Sequence, residues 1–513
     1  MPQVGLTEML AALSLATDLG SGFAPEKGLR VCLVGMAVGT QADIRDGELA
    51  DLFQSTLLLA LGCTAFAPEN AEYFDDDLAF QRAMHGLDVT DPASLNTFGS
   101  WAGGDRAATL RARFVEIAPT VGPQATAAAC EASRSLGAKL GLRPNSIAAL
   151  DHVHERWDGH GLPGLCGGED LPLIARVMHL AEQAVIAHSS GGARAALATV
   201  GNRAGGHLDP ALAALVLSDP DPVMAALATA DPITAVMEAE PPPRARVSRD
   251  ELRGLAEAFG DLADLKCRFT LGHSRGVASL ADAAASLSGL GEDIRSRLAL
   301  AALVHDVGRT SVSTAAWERQ GPLSAGELDL VRLHAYWSER VLERSGALVE
   351  LAPLAGSHHE RLDGSGYHRC VAGAALSRES RLLAAADVLH ALGEARPHRA
   401  AHDLDGAARV VTLEAKEGRL DPDAVAAVIE AAGAPRPRRA WPADLTDREV
   451  DVLRLAARGL SNKAIAEALV ISPRTVQHHL AHIYDKTGRR SRAGNALFAM
   501  EHGLLEPLGA GYR

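Results

Sequence analysis

Hydrophobic positions recur at helical spacing along most of this chain. Residues 294–304 and 380–392 carry apolar side chains at every third or fourth position, as a helix with one buried face does. Gly289 and Gly291 mark a break between two such helices. We find no convincing run that alternates apolar and polar residues as a half-buried strand would. The pattern therefore predicts an all-α fold class, with helical bundles joined by glycine-rich loops.

Three short helices near the C-terminus are indicated by their first residues. Thr446 and Glu449 have the spacing of a capping box, in which each side chain bonds the other's backbone N–H. Ser461 and Ser472 are cap residues for the next two helices, and Pro473 takes the favoured first position. The tight turn between these two helices is typical of a small helix-turn-helix domain.

Two stretches rich in proline and arginine, residues 240–246 and 434–439, interrupt the helical pattern. Such segments cannot continue a helix and tend to be extended. A chain of 513 residues is also too long for one core. We therefore predict three domains, at residues 1–239, 250–432 and 444–513.

The first two predicted domains share motifs. The sequence His-Glu-Arg-Trp-Asp-Gly that begins at His154 resembles His-Glu-Arg-Leu-Asp-Gly, which begins 205 residues later at His359. At the same spacing Arg381 corresponds to Arg176, and Asp387 corresponds to Glu182. We interpret the two domains as tandem, diverged copies of one helical bundle.

Composition narrows the possible functions. The formal net charge is −14, so the whole molecule is not built to bind polyanions, and a nucleic-acid contact needs a local patch. The six cysteines are scattered without CxxC spacing, which is typical of buried thiols in a reducing compartment. No apolar run approaches the ~20 residues of a membrane span, and no signal-peptide pattern is present. We predict a cytoplasmic protein with no membrane partner.

The candidate chemistry is concentrated in the second domain, in histidines and aspartates that lie in or at the end of predicted helices. The set consists of His273, His305, Asp306, His334, His358, His359 and Asp387. Imidazole and carboxylate together suit iron, manganese or zinc, and a helix bundle can direct several such groups at one point. Asp306 is the best candidate for a carboxylate that bridges two metals. Two metals would acidify a bridging water and hold a phosphoryl group for in-line attack.

Residues 250–432 resemble the HD-GYP family of cyclic dinucleotide phosphodiesterases, an all-helical metal-dependent type. The resemblance rests on five stretches of sequence, at 264–274, 305–309, 334–336, 358–367 and 386–388. It implies that the seven histidines and aspartates above bind two divalent metal ions, iron or manganese. It also implies cyclic di-GMP or a related cyclic dinucleotide as substrate. The expected catalytic residues are Asp306, Arg309, Asp363 and Tyr367.

Three positions depart from the family pattern. Arg309 stands where the family usually has a lysine that contacts the substrate phosphate, and arginine can do so in bidentate fashion. His368 replaces the proline of Gly-Tyr-Pro, which removes a rigid residue from a loop that shapes the pocket. Phe269 takes the place of a glutamate found in members with a third metal, so we expect two metals. We expect Asp363 to position its loop and to orient His359, and not to bind metal directly.

The first copy is predicted to have lost the metal site. Lys27 aligns with His273, Val153 with His358, and Gly62-Cys63 with His305-Asp306, and we find no match to His334. His154 and Glu182 remain, but two ligands cannot hold a two-metal centre. This degenerate HD domain is expected to act as a scaffold that pairs with the catalytic copy, as a dimerisation element, or as a regulator-binding domain.

Residues 444–505 resemble the LuxR-type helix-turn-helix domain, on the motifs around Thr446, Ser461 and Ser472 and on Lys486-Thr487-Gly488. The resemblance implies that the helix from Pro473 enters the major groove of double-stranded DNA. The expected DNA-binding residues are Lys463, Arg474, Thr475, Gln477, His478, Lys486 and Arg489. We expect weak, salt-sensitive binding by one domain and a homodimer that supplies the second half-site.

Taken together, the sequence predicts a cyclic dinucleotide phosphodiesterase coupled to a transcription regulator. One alternative is a nucleotide-sensing LuxR-type transcription factor whose phosphodiesterase activity is weak or absent. The departures from the family pattern at Arg309 and His368 are the reason for this alternative. A second is an HD phosphohydrolase of another nucleotide. For residues 444–505 the alternative is a helical protein-interaction module.

Overall fold

A computed structural model describes residues 4–88, 90–433 and 441–505. It divides into two compact units, residues 1–249 and 250–513. The predicted all-α fold class is confirmed for these residues. The one β-ladder among them joins β1 (Val4–Gly5) to β2 (Arg246–Val247) in antiparallel orientation, so the chain after the first proline-rich stretch returns to the start of unit 1. The second proline-rich stretch, 434–439, lies outside the described residues.

Unit 1 is built of helices that pack around α2 and α9. Its α-helices are α1 (Leu6–Gly20), α2 (Lys27–Gln41), α3 (Asp46–Leu57), α4 (Ala67–Phe74), α5 (Asp77–Gly86), α6 (Pro92–Thr97), α7 (Gly104–Lys139), α8 (Pro144–Leu150), α9 (Leu173–Asn202), α10 (Pro210–Ser218), α11 (Asp221–Leu227) and α12 (Pro232–Ala239). Helix α9 is broken at Gly192, where φ is 68°. Short 3₁₀ turns lie at Ser100–Ala102 and Gly168–Asp170.

The larger part of unit 2 is a second bundle, whose core is formed chiefly by α14, α15, α19 and α21. Its α-helices are α13 (Arg249–Asp264), α14 (His273–Leu287), α15 (Glu292–Val304), α16 (Thr314–Trp317), α17 (Ala325–Glu343), α18 (Ala352–Ala355), α19 (Arg378–Leu392), α20 (Leu404–Lys416) and α21 (Pro422–Gly433). The predicted break at Gly289 and Gly291 is confirmed between α14 and α15. The 3₁₀ turns lie at Val307–Ser311 and Gly373–Ala375.

The remainder of unit 2 consists of a 3₁₀ turn (Pro442–Asp444) and four helices, α22 (Asp447–Ala457), α23 (Asn462–Leu469), α24 (Pro473–Thr487) and α25 (Arg492–Glu501). The predicted caps are confirmed, with a complete Thr446–Glu449 capping box and with Ser461 and Ser472 as N-caps. Val470 turns the chain between α23 and α24 in a left-handed conformation with φ 54°. These helices enclose a core that includes Leu453, Ile465, Val476, Ile483 and Phe498.

The two bundles repeat the same internal bonds, as a duplication requires. The Asp18 carboxylate accepts a hydrogen bond from the Gly28 N–H at 3.0 Å, and Asp264 accepts one from the Ser274 N–H at 3.0 Å. Both pairs span the same ten residues at the start of the second helix of a bundle. Burial raises the pKa of Asp18 and of Asp264 to about 7. The shared bond is therefore a structural device of the bundle, independent of metal.

The loops that carry the repeated motif also close in the same way. Glu155 accepts hydrogen bonds from the backbone of Gly164 and Leu165, and Glu360 accepts them from Arg369 and Val371. A second pair of equivalent contacts joins the helix after each loop to the start of a later helix, with Arg176 of α9 bonded to Asp209 before α10 at 2.8 Å and Arg381 of α19 bonded to Asp421 before α21 at 3.0 Å.

One predicted equivalence is wrong. Helix α3 corresponds to α15 at a spacing of 246 residues, since α3 ends at Leu57 and α15 ends at Val304. At that spacing Gly62 corresponds to Gly308, and a Cβ on either glycine would lie about 2 Å from a helix carbonyl, that of Ala129 or of His334. Leu59 and Ala60, and not Gly62 and Cys63, therefore stand at the positions of His305 and Asp306. Ala129 stands at the position of His334, for which no equivalent residue was predicted.

No single described helix is both long and apolar enough to cross a membrane, and one sharply bent pair, α10 with α11, meets the length and composition limits together. None of the six cysteines forms a disulfide. Cys32, Cys130 and Cys267 are buried as predicted, Cys63 and Cys166 are partly buried, and Cys370 is exposed, so the expectation of a buried thiol is wrong there.

Candidate metal centre

The seven predicted ligands come from five separate segments of the second bundle and meet in its interior. His273 is the first residue of α14, His305 ends α15, His334 lies within α17, and Asp387 lies within α19. His358 and His359 follow the short helix α18. The side chain of His359 is 20% exposed, whereas the other six side chains are at most 6% exposed. The predicted site residues are thus brought together.

Three of the histidines are oriented by their own backbone. The Nδ1 atoms of His305, His334 and His358 lie 2.7, 2.5 and 2.6 Å from the carbonyl oxygens of the residues three positions earlier. A ring that donates Nδ1–H to a carbonyl presents its Nε2 lone pair on the opposite side. All three Nε2 atoms therefore point into the cluster as potential ligands.

Asp306 lies between two groups of histidines. Its Oδ1 is 3.2 Å from His334 Nε2 and 3.5 Å from His358 Nε2. Its Oδ2 is 3.4 Å from His305 Nε2 and 3.7 Å from His273 Nε2. One carboxylate oxygen thus faces each pair, which is the arrangement that a bridging carboxylate needs.

Asp387 makes a second connection across the cluster. Its Oδ1 is 3.1 Å from His273 Nε2 and 3.9 Å from His305 Nε2, and its Oδ2 is 3.6 Å from His359 Nδ1. Two compact sets of ligand atoms result, His334 with His358 and His359, and His273 with His305 and Asp387. Asp306 stands between the two sets.

The protonation states of three histidines and of Asp306 suit divalent metal ions. Burial lowers the pKa of His305 to about 4 and lowers that of His334 and His359, so these rings are neutral at neutral pH. Although burial opposes it, His305 and Arg309 hold the pKa of Asp306 well below its usual range. His305 Nε2 and His359 Nδ1 are buried without a hydrogen-bond partner among the described residues. Buried, unprotonated and unpartnered nitrogens beside carboxylates fit a metal centre.

His273 has a carboxylate partner that the sequence analysis missed. As the first residue of α14 it has no carbonyl on its own helix to orient the ring, and its Nδ1 instead lies 3.0 Å from Glu394 Oε2. Arg396 holds Glu394 at 2.6 Å, and His390 packs beside the pair. Burial acts to lower the pKa of His273, but Glu394 and Asp387 raise it to about 10. The sequence does contain a signal for this carboxylate partner: His390 and Glu394 lie four residues apart, shortly after Asp387.

The predicted catalytic residues lie around the cluster. Arg309 is buried, its guanidinium bonds Asp306 at 3.0 Å, and it stacks on the Trp317 ring at 3.9 Å. The Tyr367 ring lies 4.3 Å from the His359 ring. Asp363 is exposed and accepts hydrogen bonds from the backbone and hydroxyl of Ser365, which close a turn in the loop.

The altered end of the loop has its own anchor. His368 Nε2 lies 3.4 Å from Glu339 Oε2, and the Arg369 guanidinium lies 2.6 Å from Glu339 Oε1. Glu339 is buried on α17, one turn beyond His334. A carboxylate on a ligand-bearing helix thus holds the loop where proline would have stiffened it. This contact could not be predicted from the sequence, because its partners lie about thirty residues apart.

The predicted DNA-binding residues divide into two groups. Lys463, Arg474, Thr475, Gln477 and His478 are exposed at the start of α23 and along α24. Lys486 and Arg489 are engaged within the domain, since Lys486 Nζ lies 2.7 Å from Glu449 and Arg489 lies 3.3 Å from Glu501. The first group forms an accessible surface on α23 and on the predicted recognition helix, α24.

Comparison with known proteins agrees with this geometry. Residues 257–424 match the HD domain family, and residues 443–499 match the bacterial regulatory proteins of the luxR family. The chain is 31% identical over 434 residues to 3′3′-cGAMP-specific phosphodiesterase 3 of Vibrio cholerae, covering 83% of this chain and 94% of that protein. The chain belongs to the HD-domain family of cyclic dinucleotide phosphodiesterases.

Membership of this HD-domain family extends over both bundles. The crystal structure of a cyclic GMP-AMP specific phosphodiesterase of V. cholerae matches with a TM-score of 0.59 and 26% identity, covering 85% of this chain and 99% of that one. The helix-turn-helix segment is 58% identical over 57 residues to a putative HTH-type transcriptional regulator of Mycobacterium bovis, a match that covers 11% of this chain and 6% of that protein. The HD-domain family and the luxR-type match confirm both resemblances predicted from the sequence.

Proposed function

We propose that the second bundle hydrolyses a cyclic dinucleotide with two divalent metal ions, iron or manganese. His334, His358 and His359 would hold one ion, and His273, His305 and Asp387 the other, with Asp306 between them. Two such ions supply an acidified water and a clamp on the phosphoryl oxygens when bound. The observation that carries the proposal is the placement of the two Asp306 oxygens, one toward each pair of histidines.

The chain's own residues position this chemistry. Arg309 keeps Asp306 ionised and fixed through a buried bond and a stack on Trp317. A direct contact of its guanidinium with the substrate phosphate is part of the proposal. Tyr367 packs on His359 at the exposed side of the cluster, where its ring would limit water and meet a base or ribose. Asp363 shapes the same loop.

We propose 3′3′-cGAMP and cyclic di-GMP as the substrates to compare first. The extended similarity to the V. cholerae protein named 3′3′-cGAMP-specific phosphodiesterase 3 supports the first. A response regulator of Xanthomonas campestris named as a cyclic di-GMP phosphodiesterase is 35% identical over 149 residues, which supports the second. Both substrates present the same phosphodiester to the metal centre, so only contacts to the bases would separate them.

The experiment measures hydrolysis of both nucleotides by the full chain after anaerobic loading with iron or manganese. We expect a linear dinucleotide as the first product and no product from the metal-free protein. Absence of product from every cyclic dinucleotide would favour the alternative in which the domain senses a nucleotide without turnover. Hydrolysis of other nucleotides alone would favour the second alternative, a different HD phosphohydrolase.

We further propose that the four C-terminal helices bind double-stranded DNA as part of a homodimer in the cytoplasm. The exposed set on α23 and α24 supports base and phosphate contacts by Lys463, Arg474, Thr475, Gln477 and His478. Lys486 and Arg489 would have to exchange their internal partners for phosphates. A mobility-shift assay on genomic fragments, with the chain truncated after residue 443 as control, tests this. Shifts that survive the truncation would refute it.

A further inference from the structure

Unit 1 contains a cavity of about 210 Å³ at the position that corresponds to the metal centre of unit 2. Leu59, Ala60, Ala129 and Val153 line it, and they stand where His305, Asp306, His334 and His358 stand in the other copy. Four ligand positions have thus become apolar while the space between them has been kept. A bundle that had become a scaffold alone would be expected to fill this space, since close packing stabilises a core.

The walls of the cavity are strongly apolar. Phe66, Phe74, Phe80 and Phe114 line one side. Phe74, Phe80 and Phe114 belong to a cluster of mutually packed aromatic rings. Aromatic side chains make up only 4% of the chain, so their concentration here is a local feature. The cavity is larger than the roughly 150 Å³ apolar cavity known to bind benzene. It has room for more than one ring.

The cationic groups in and beside the cavity are already paired with carboxylates. Lys27 Nζ lies 2.6 Å from Glu182 Oε1, and His85 Nδ1 lies 2.9 Å from the same oxygen, so the former metal position is neutralised internally. The lining arginine, Arg156, is held by Asp88 at 2.9 Å and by Asp158 at 2.7 Å. A phosphate would find both cations already paired.

Two histidines offer hydrogen bonds to an uncharged group. His154, which survives from the ancestral motif, lines the cavity. His207 also lines it, and among the described residues its buried Nδ1 has no hydrogen-bond partner. Burial lowers the pKa of His154 to about 4 and of His207 to about 3, so both rings are neutral at neutral pH. A buried nitrogen without a partner carries a free-energy cost that a ligand hydroxyl or carbonyl would relieve.

We infer that unit 1 is a binding domain for an uncharged, largely apolar small molecule that carries a hydrogen-bonding group. The site lies in unit 1 at the position that the proposed catalytic pocket has in unit 2. It excludes nucleotides because its cations are already paired. This inference goes beyond the proposed phosphodiesterase and does not depend on it. It gives the degenerate copy a ligand of a different chemical class from the substrate of the active copy.

The test uses 2-naphthol as probe, an uncharged aromatic alcohol, with binding to the full chain measured by titration calorimetry and ligand-observed NMR. Ala125 lines the cavity from α7, whereas Ala127 on the same helix is exposed and does not line it. We expect one equivalent of 2-naphthol to bind. Ala125→Phe should weaken binding by about tenfold or more, and Ala127→Phe should leave it unchanged.

Ala118→Phe, about two turns earlier in the lining of α7, provides a second cavity-filling variant should Ala125→Phe not fold. Melting temperatures close to that of the unaltered chain qualify a variant for comparison. Equal affinity of the filled and control variants would overturn the inference, as would absence of binding to the unaltered chain. Displacement of 2-naphthol by cyclic di-GMP would also overturn it, because the cavity would then be a nucleotide site.

Discussion

Lys27 and Glu182 form a buried ion pair, 2.6 Å long, at the positions that His273 and Asp387 occupy in the second bundle. The ammonium group of Lys27 therefore lies where the metal-facing imidazole nitrogen lies in the other copy. A covalently attached positive charge thus stands where the second bundle would hold a proposed metal ion. The exchange explains how the first bundle keeps Glu182 ionised in its interior without a metal, since Lys27 and His85 hold the pKa of Glu182 well below its usual range against the effect of burial.

Breaking this pair on one side should unfold the first unit more readily. Lys27→Met leaves Glu182 buried without its main partner, and we expect a loss of about 3–5 kcal/mol in the free energy of unfolding. The double variant Lys27→Met, Glu182→Gln removes both charges and should recover much of that loss. Urea unfolding followed by circular dichroism measures both. A single variant as stable as the unaltered chain would show that the pair contributes little.

Glu394 should control the affinity of the metal centre through His273. Replacing Glu394 with Gln removes the negative charge 3.0 Å from His273 Nδ1, and partners of this kind typically account for a 10- to 100-fold change in metal affinity. Competition with a chelator for manganese measures the change. Glu343→Gln, at a partly exposed ion pair with Arg340, is the matched control. An affinity for Glu394→Gln within twofold of the control would contradict the role assigned to it.

The buried carboxyl of Asp18 should make stability depend on pH in unit 1. Burial raises its folded pKa from the ordinary value of 3.8 to about 7. The contribution of the protonated Asp18 carboxyl to the stability of the fold is therefore fully present below about pH 4 and is lost as pH rises towards 7. The Asp18→Asn side chain cannot ionise. Between pH 5 and pH 7 the melting temperature of the variant should therefore rise relative to that of the unaltered chain, and above pH 7 the difference between the two should become constant. A difference that does not vary with pH would contradict the buried, protonated carboxyl.

The two kinds of DNA contact should separate in salt titrations. Arg474→Ala should weaken binding to all sequences and reduce the slope of log affinity against log salt by about one. Gln477→Ala should reduce the preference for the cognate site by ~1–3 kcal/mol with little change in slope. Arg409→Ala, an exposed arginine on α20, is the control. Identical effects of the Arg474 and Gln477 variants on slope and preference would contradict the assignment.

Local signals in the sequence predicted much of this architecture. The spacing of apolar residues predicted α15 and α19, and cap residues such as Thr446 and Ser472 predicted where the C-terminal helices begin. The ligand set was predictable because each histidine lies in a motif of adjacent residues. Glu394, Glu339 and the positions of Leu59 and Ala60 were not predicted, since they depend on contacts between helices distant in sequence. The cavity in unit 1 depends on side chains from several helices and on space that no motif describes.

The central claim is that Asp306 bridges a two-metal phosphodiesterase centre. The most direct measurement determines metal content and cyclic dinucleotide hydrolysis on the same preparations of the unaltered chain and of Asp306→Asn, with the exposed Asp329→Asn as control. We predict about two iron or manganese ions per chain and hydrolysis in the unaltered and control proteins, with both lost or sharply reduced in Asp306→Asn. A metal-free unaltered protein after anaerobic loading, or an Asp306→Asn variant that hydrolyses at the unaltered rate, would contradict the account.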